Sequence, residues 1–272
     1  MTIPQSDKVF SGHMAELYHS HLTPLIFDSY ARGMAEIVSQ EEVSSVLEVA
    51  AGTGVVTRAM VDALGSDVSI LATDLNQPMM DFAQSFRQDT NVRWELADAL
   101  SLPMDDGLFD VVACQFAVMF FPDRAKAYSE ARRVLKPGGR FVFSVWDQTS
   151  ENEFADTVEQ AVGELFPDDP PRFISRTPYG YFNIDEITDD IRAGGFTGDL
   201  NVETVTEPCR SESAAFAAVA FCQATPLRSE ITCRDPSLLE HSTRVAREAL
   251  TARFGEGAIE GKMQAHVFSI RA

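Results

Sequence analysis

The stretch Val46-Leu47-Glu48-Val49-Ala50-Ala51-Gly52-Thr53-Gly54 decides the fold. A short β-branched run breaks into a glycine turn, and an apolar helical pattern follows through about Leu64. In a strand–glycine–helix unit, bare backbone and a helix N-terminus approach a ligand closely, and a β-carbon would block that approach. Nucleotide and dinucleotide sites share the unit, so alone it does not separate them. Glu48, inside the strand just before the turn, narrows the choice. It would repel a pyrophosphate and attract a cationic amino-acid group.

Outward from this unit, residues 43–146 alternate short β-branched runs with helical patterns, the signature of a parallel, doubly wound sheet. Strands are expected at Ser45–Ala50, Val68–Thr73, Val92–Leu96, Phe109–Phe116 and Arg140–Trp146. Phe109–Phe116 is unbroken enough in its apolar run to be buried on both faces. Helices are expected at Asn76–Arg87, with Asn76 as N-cap and Pro78 in the first turn, and at Arg124–Leu135. Lys136-Pro137-Gly138-Gly139 should stop the second. Beyond Asp147, Asn152–Phe166, Ile184–Ala193, Glu212–Gln223 and Ser237–Phe254 read as helices. Asn201–Glu207 and Ala265–Ile270 read as a late strand pair, an antiparallel edge on the parallel sheet. The first forty residues look like helices packed over the domain.

Two more acids fall at informative places. Asp74 closes the second strand twenty positions after Gly54, where a carboxylate can accept both hydroxyls of a ribose. Asp98 follows the third strand, where a carboxylate can accept from an exocyclic adenine amine. Together the three acids lie at carboxyl ends of successive strands, on the crevice side of such a sheet, and suit a ligand combining adenosine with a positive charge.

The segments Glu48–Gly54, Ala72-Thr73-Asp74 and Ala97-Asp98-Ala99 resemble the first three motifs of class I S-adenosylmethionine-dependent methyltransferases. Phe109-Asp110-Val111-Val112 with Gln115-Phe116, and Arg133–Arg140, resemble the later motifs. The nearest subgroup is the small-molecule type that includes the ubiquinone and menaquinone biosynthesis methyltransferases. The resemblance implies an α/β, Rossmann-like sheet of seven strands, mostly parallel, with an antiparallel C-terminal hairpin and helical cap segments. It makes residues 1–42 an N-terminal helical lid and 43–272 the catalytic domain, with cap insertions at about 151–181 and 212–254. S-adenosylmethionine becomes the cofactor. Glu48, Ala50, Gly52 and Gly54 become the methionine-side loop and Asp74 the ribose ligand. Leu75 and Met79 fall beside the adenine, Asp98 and Ala99 at its edge, and Gln115 beside the sulfonium. Tyr18 lies in the N-terminal segment, which is placed to cover the site, and is a candidate cofactor contact on that ground. The sequence departs from one signature. Cys114-Gln115-Phe116-Ala117 stands where methylases of nucleobase and glutamine amines carry Asn/Asp-Pro-Pro-Tyr.

Methyl transfer from a sulfonium needs a base only if the acceptor must lose a proton. Candidate catalytic residues are His19 and His21 in the lid, with Gln115; His266 is a further candidate base, with Tyr18, Tyr179 and Tyr181 as hydroxyl partners. Phe116, Met119, Phe120, Phe121 and Trp146 are candidates for an apolar acceptor wall, and Arg172 with Arg176 for a carboxylate clamp. The aromatics and methionines of the lid and cap regions lean toward a small, largely apolar acceptor.

A formal charge of −19 argues against a phosphate backbone or an anionic membrane surface as partner. Met1–Phe10 has no basic or apolar signal pattern, no apolar run approaches the ~20 residues a bilayer needs, and a cytoplasmic protein is expected. A homodimer is compatible with the sequence. Cys114, Cys209, Cys222 and Cys233 show no zinc spacing, so no metal is expected. Two competitors remain. A nicotinamide-dependent oxidoreductase would also use the glycine loop and Asp74, but Thr57 replaces the last small residue of that fingerprint. A cofactor-binding regulator without turnover is the other.

Overall fold

A computed structural model describes residues 12–272. The part of the lid that falls on residues 1–11, and the reading of Met1–Phe10, lie outside the described residues. The chain opens with α1 (Gly12–Leu17), a π-helix (Tyr18–Phe27) and α2 (Asp28–Ser39). It continues through β1 (Ser45–Val49), α3 (Val55–Leu64), β2 (Ser69–Asp74), α4 (Gln77–Phe86), β3 (Val92–Leu96) and β4 (Phe109–Gln115). After α5 (Arg124–Val134) and β5 (Leu135–Trp146) come α6 (Glu153–Gly163), α7 (Phe173–Arg176) and α8 (Ile184–Ala193). The last strands, β6 (Leu200–Ser211) and β7 (Ile259–Arg271), enclose α9 (Ala214–Gln223), α10 (Leu227–Arg234) and α11 (Leu239–Phe254).

The seven strands form one sheet in the order β3-β2-β1-β4-β5-β7-β6. Neighbours from β3 to β5 pair in parallel, and β7 runs antiparallel to both β5 and β6. This is the expected seven-stranded, mostly parallel α/β sheet, with its antiparallel strand pair split by inserted helices. Strand alternation divides the interior into two cores. Val46, Ile70, Val111 and Val142 face α2 and α3. Leu47, Leu71, Val112 and Phe143 face the opposite side, with α5, α8 and the cap helices. The chain direction along the sheet order reverses between β1 and β4, so the crevice that such sheets use for ligands opens there.

Several elements differ from the sequence expectation. The helix before β5 ends at Val134, and the strand begins at Leu135, running straight through Lys136-Pro137-Gly138-Gly139. Leu135 pairs with Phe109 before a bulge resets the register at Val111 and Arg140. Gly138 supplies the left-handed residue that this bulge needs, at φ +78°. β6 and β7 are longer than their alternating patterns, and pair over twelve positions. Finally, the lid is not plain α-helix: Tyr18–Phe27 winds as a π-helix around Pro24.

The start of the sheet is fastened by one carboxylate. Asp110 accepts from the backbone N–H and hydroxyl of Ser44 and of Ser45, and from Lys136 Nζ at 2.7 Å. Burial alone would raise its carboxyl. The Lys136 charge and the serine donors outweigh that and hold it well below the ordinary 3.8. A depressed folded value stabilises the protein above the unfolded value and is lost as pH falls through the folded one. Asp110→Asn should therefore cost about 2 kcal/mol at pH 7. Chemical denaturation of both proteins should show the gap closing below about pH 4; a gap that ignores pH would sink this account.

Candidate functional site

A cavity of about 250 Å³ opens at the carboxyl ends of β1, β2, β4 and β5. Its first end is built by the glycine loop. Ala50, Gly52 and Gly54 all hold left-handed backbone, at φ +56°, +56° and +76°. Ala51 N–H donates to the Thr73 carbonyl at 2.8 Å and Gly54 N–H to the Ala51 carbonyl at 2.9 Å, which curls the loop back over β2. Asp74 pins it: Oδ2 accepts from Gly52 N–H at 2.8 Å and Oδ1 from Asn76 N–H at 2.7 Å. Burial raises the Asp74 carboxyl, and these N–H donors oppose the rise. A β-carbon on Gly52 would meet nothing within 4 Å, so the loop presents open backbone. On Gly54 a β-carbon would lie 2.9 Å from the Trp94 ring and 3.2 Å from Ala83, so glycine lets the loop lie close against β3 and α4.

Asp98 continues this end beyond β3, its Oδ1 accepting from Leu100 N–H at 2.9 Å. Leu75, Asn76, Met79, Ala97 and Ala99 complete it. The opposite end is ring-lined. Phe116 lies parallel on Trp146 at 3.8 Å, and Tyr179 stacks near Trp146 at 5.6 Å. Tyr18 and Phe27 from the π-helix stack at 5.3 Å, while Phe173 of α7 and Phe221 of α9 close the far side. Burial raises the Tyr18 and Tyr179 phenols far above their usual range, so both stay neutral. Gln115 ends β4 between the two ends and donates its amide to the Phe27 carbonyl at 3.3 Å, tying the lid to the sheet.

Of the residues singled out from the sequence, Tyr18, Ala50, Gly52, Asp74, Leu75, Met79, Asp98, Ala99 and Gln115 converge on this cavity. Glu48, Gly54, His19 and His21 do not line it. Alternation along β1 sends Glu48 to the α3 side, away from Val49, which does face the cavity. There Glu48 is 2 % exposed and accepts from the Thr57 hydroxyl at 2.5 Å. His19 packs on Phe82 and Phe86, with Nδ1 3.3 Å from the Thr53 hydroxyl, and burial lowers its pKa. His21 stacks on Phe216 of α9. The wide turn of the π-helix explains both: Tyr18, Leu22 and Ile26, spaced by four, face the cavity and leave the histidines on other sides.

The remaining candidates have structural partners. His266 lies between Asp147 at 3.3 Å and Thr204 at 2.9 Å within the β6–β7 pairing. Arg176 pairs with Glu230 at 2.6 Å, which also takes the Arg172 and Phe173 N–H groups, so the two arginines form no clamp in the cavity. Tyr181 bonds to Asp190 under the Arg124 guanidinium. Phe173, Phe221 and Thr225 were missed by sequence reading. The one sign of α10 was Pro226, which begins a new helix after α9.

The sheet order with antiparallel β7, and a cavity over the β1–β4 crossing, define a class I methyltransferase fold. Residues 47–143, the stretch that carries the glycine loop, Asp74 and Asp98, match the methyltransferase domain family. Curated relatives include the ubiquinone/menaquinone biosynthesis C-methyltransferases UbiE of Idiomarina loihiensis, 37% identical over 99 residues, and Burkholderia mallei, 39% identical over 108. Those stretches cover 35% and 38% of this chain and 39% and 44% of the relatives, so the match spans less than half of their length. Among solved structures, phosphoethanolamine N-methyltransferase 2 of Haemonchus contortus with S-adenosyl-L-methionine superposes at TM-score 0.60 and 13% identity. It covers 96% of this chain and 57% of that one. The [4+2]-cyclase SpnF superposes at TM-score 0.58 and 17% identity, covering 100% of this chain and 97% of that one. Among the described residues no helix is long and apolar enough to cross a membrane.

Glu48 yields a pH test. Its burial lifts the carboxyl from 4.5 to about 8, opposed by the Thr57 hydroxyl and the Arg58 charge, with Asp74 adding to the rise. A carboxyl raised on folding is neutral inside while its unfolded counterpart ionises, so stability is lost as pH climbs from about 4.5 to about 8. Glu48→Gln keeps an acceptor for Thr57 and removes that loss. Denaturation midpoints should favour the variant increasingly across this range, by on the order of 4 kcal/mol at pH 8. Parallel pH curves would mean Glu48 is ionised in the fold.

Proposed function

We propose that the chain is an S-adenosylmethionine-dependent methyltransferase that passes a methyl group, by in-line displacement, to a small and largely apolar molecule. One observation carries this reading: a single cavity has a carboxylate-and-backbone end and a ring-lined end, meeting at Gln115. The donor set at the first end fits an adenosyl group. Asp74 keeps lone pairs beyond its two backbone bonds for ribose hydroxyls, and Asp98 Oδ2 is available to an adenine amine. Leu75, Met79 and Ala99 would flank the base, and Ala50 and Gly52 the methionine portion, with Tyr18 and Gln115 near the junction. Gly54 shapes the loop, and Glu48 supports it from behind.

The cofactor supplies an electrophilic methyl on a cationic sulfur. The chain's residues hold and orient. Aligning an acceptor atom in line can supply roughly 7–11 kcal/mol. Tyr18, Leu22, Ile26 and Phe27 exclude water from above. Residues 1–42 would act as the lid of the 43–272 domain, and the segments 151–181 and 212–254 close the ring-lined end. Phe116, Phe120, Trp146, Phe173, Tyr179 and Phe221 bear no formal charge, and a charged acceptor group would be costly to bury against them. The relatives' names, which place them in quinone biosynthesis, agree with an apolar acceptor.

The nicotinamide alternative is weakened by Thr57, whose hydroxyl is committed to Glu48 beneath the loop. Calorimetry separates the readings. S-adenosylmethionine and S-adenosylhomocysteine should bind and NAD should not, and Asp74→Ala should weaken both by at least about tenfold, roughly 1.4 kcal/mol. A thermal melt of the variant checks that it is folded. Binding of NAD alone, or of none of the three, would remove the proposal; binding without turnover on any small acceptor would favour a regulator.

A further inference from the structure

Among the described residues, two other than glycine hold a left-handed backbone: Ala50 at φ +56° and Phe116 at φ +52°. Both line the same cavity. With a β-carbon, that conformation costs about 1–2 kcal/mol, and for a bulky residue it persists only where the surroundings over-determine it. Ala50 belongs to the glycine loop, whose curl requires it. Phe116 stands at the other end of the cavity, directly after β4, where no loop of that kind exists.

What the conformation achieves there is a change of face. Extended chain sends successive side chains to opposite sides of a sheet. Gln115, Phe116 and Ala117 nevertheless all line the cavity, because the left-handed turn at Phe116 breaks the alternation and swings its ring onto the side of Gln115. The ring is then held from several directions. It lies parallel on Trp146 at 3.8 Å, meets Tyr30 edge-on at 5.2 Å, and approaches Phe27 at 5.9 Å. Its backbone N–H is fixed to the Ser144 carbonyl of β5 at 3.0 Å. Phe116 is 7 % exposed, and Tyr30 and Trp146 are themselves buried, so the ring has little room to turn aside.

We infer that Phe116 is the specificity-determining residue of the acceptor end, a fixed wall whose position limits the size of the neutral group admitted beside Trp146. The inference rests on the methyltransferase reading for the purpose of the cavity, though not for the shape of its wall. A flexible side chain could yield to a larger ligand; a ring clamped by a left-handed backbone and a parallel stack does not.

Glycine adopts φ +52° without cost, so Phe116→Gly removes the ring and leaves the backbone in place. Phe116→Leu shortens the wall and serves if the glycine variant melts at the assay temperature. The readout is calorimetric titration of phenol and of 2-naphthol into protein saturated with S-adenosylhomocysteine. The preference for 2-naphthol over phenol should rise about tenfold in Phe116→Gly, and in the same direction in Phe116→Leu, while S-adenosylhomocysteine affinity stays within about twofold. An unchanged preference, or no binding of either phenol to the wild type, overturns the inference. So does a loss of S-adenosylhomocysteine affinity alone, which would assign the ring to the cofactor end. If S-adenosylhomocysteine does not bind the wild type, the methyltransferase reading falls, and the phenol preference measured without it still decides the role of Phe116.

Discussion

The arrangement of the site depends on one buried carboxylate at the end of β2. Asp74 takes the Gly52 N–H with one oxygen and the Asn76 N–H with the other, so a single side chain fixes the glycine loop against the start of α4. Backbone donors are well suited to this task, since a carboxylate oxygen can accept one and keep a lone pair for something else. Together with the Ala51 and Gly54 N–H bonds, it holds a loop in which three residues have left-handed backbone. Asp74 thus does two jobs in the proposed chemistry. It shapes the surface on which the cofactor lies, and it offers the remaining lone pairs to it.

A second constraint is the alternation of the strands, which sorts side chains between two cores. In β1 it turns Val49 toward the cavity and Glu48 toward α3, although both stand next to the loop. The acid most prominent in the sequence is therefore a supporting group, hydrogen-bonded to Thr57 and shielded from the cavity. Where the site needs consecutive residues on one side, the chain has to leave the strand conformation. It does so at Ala50 and at Phe116, and the local strain is offset by the packing around each.

Much of this was legible in the sequence. β3 and α8 fall within the expected bounds, and the order of the five motifs placed Asp74, Asp98 and Gln115 on one crevice because a doubly wound sheet brings its carboxyl ends together. What failed had specific causes. Lys136-Pro137-Gly138-Gly139 reads as a stop, but in a bulged strand the same residues are extended chain with one left-handed glycine. The Tyr18–Phe27 segment has the composition of an α-helix. Only its backbone winding decides that Tyr18, Leu22 and Ile26 face inward and His19 and His21 do not. α7 and α10 are four and eight residues long, too short for periodicity to announce them.

The two ends of the cavity also differ in how they relate to other proteins. The methyltransferase domain match covers residues 47–143, which contain the glycine loop, Asp74, Asp98, Gln115 and Phe116. The lid residue Tyr18, and Trp146, Phe173, Tyr179 and Phe221, lie outside it. A shared sheet therefore presents a cofactor-shaped end, while segments packed on it close the other. Superposition on both an N-methyltransferase and a [4+2]-cyclase makes the same point, since one fold serves different reactions. Phe116 stands at the seam, inside the shared portion yet part of the ring-lined end. In the proposed chemistry, its left-handed backbone lets the sheet, together with the cap, take part in choosing the acceptor.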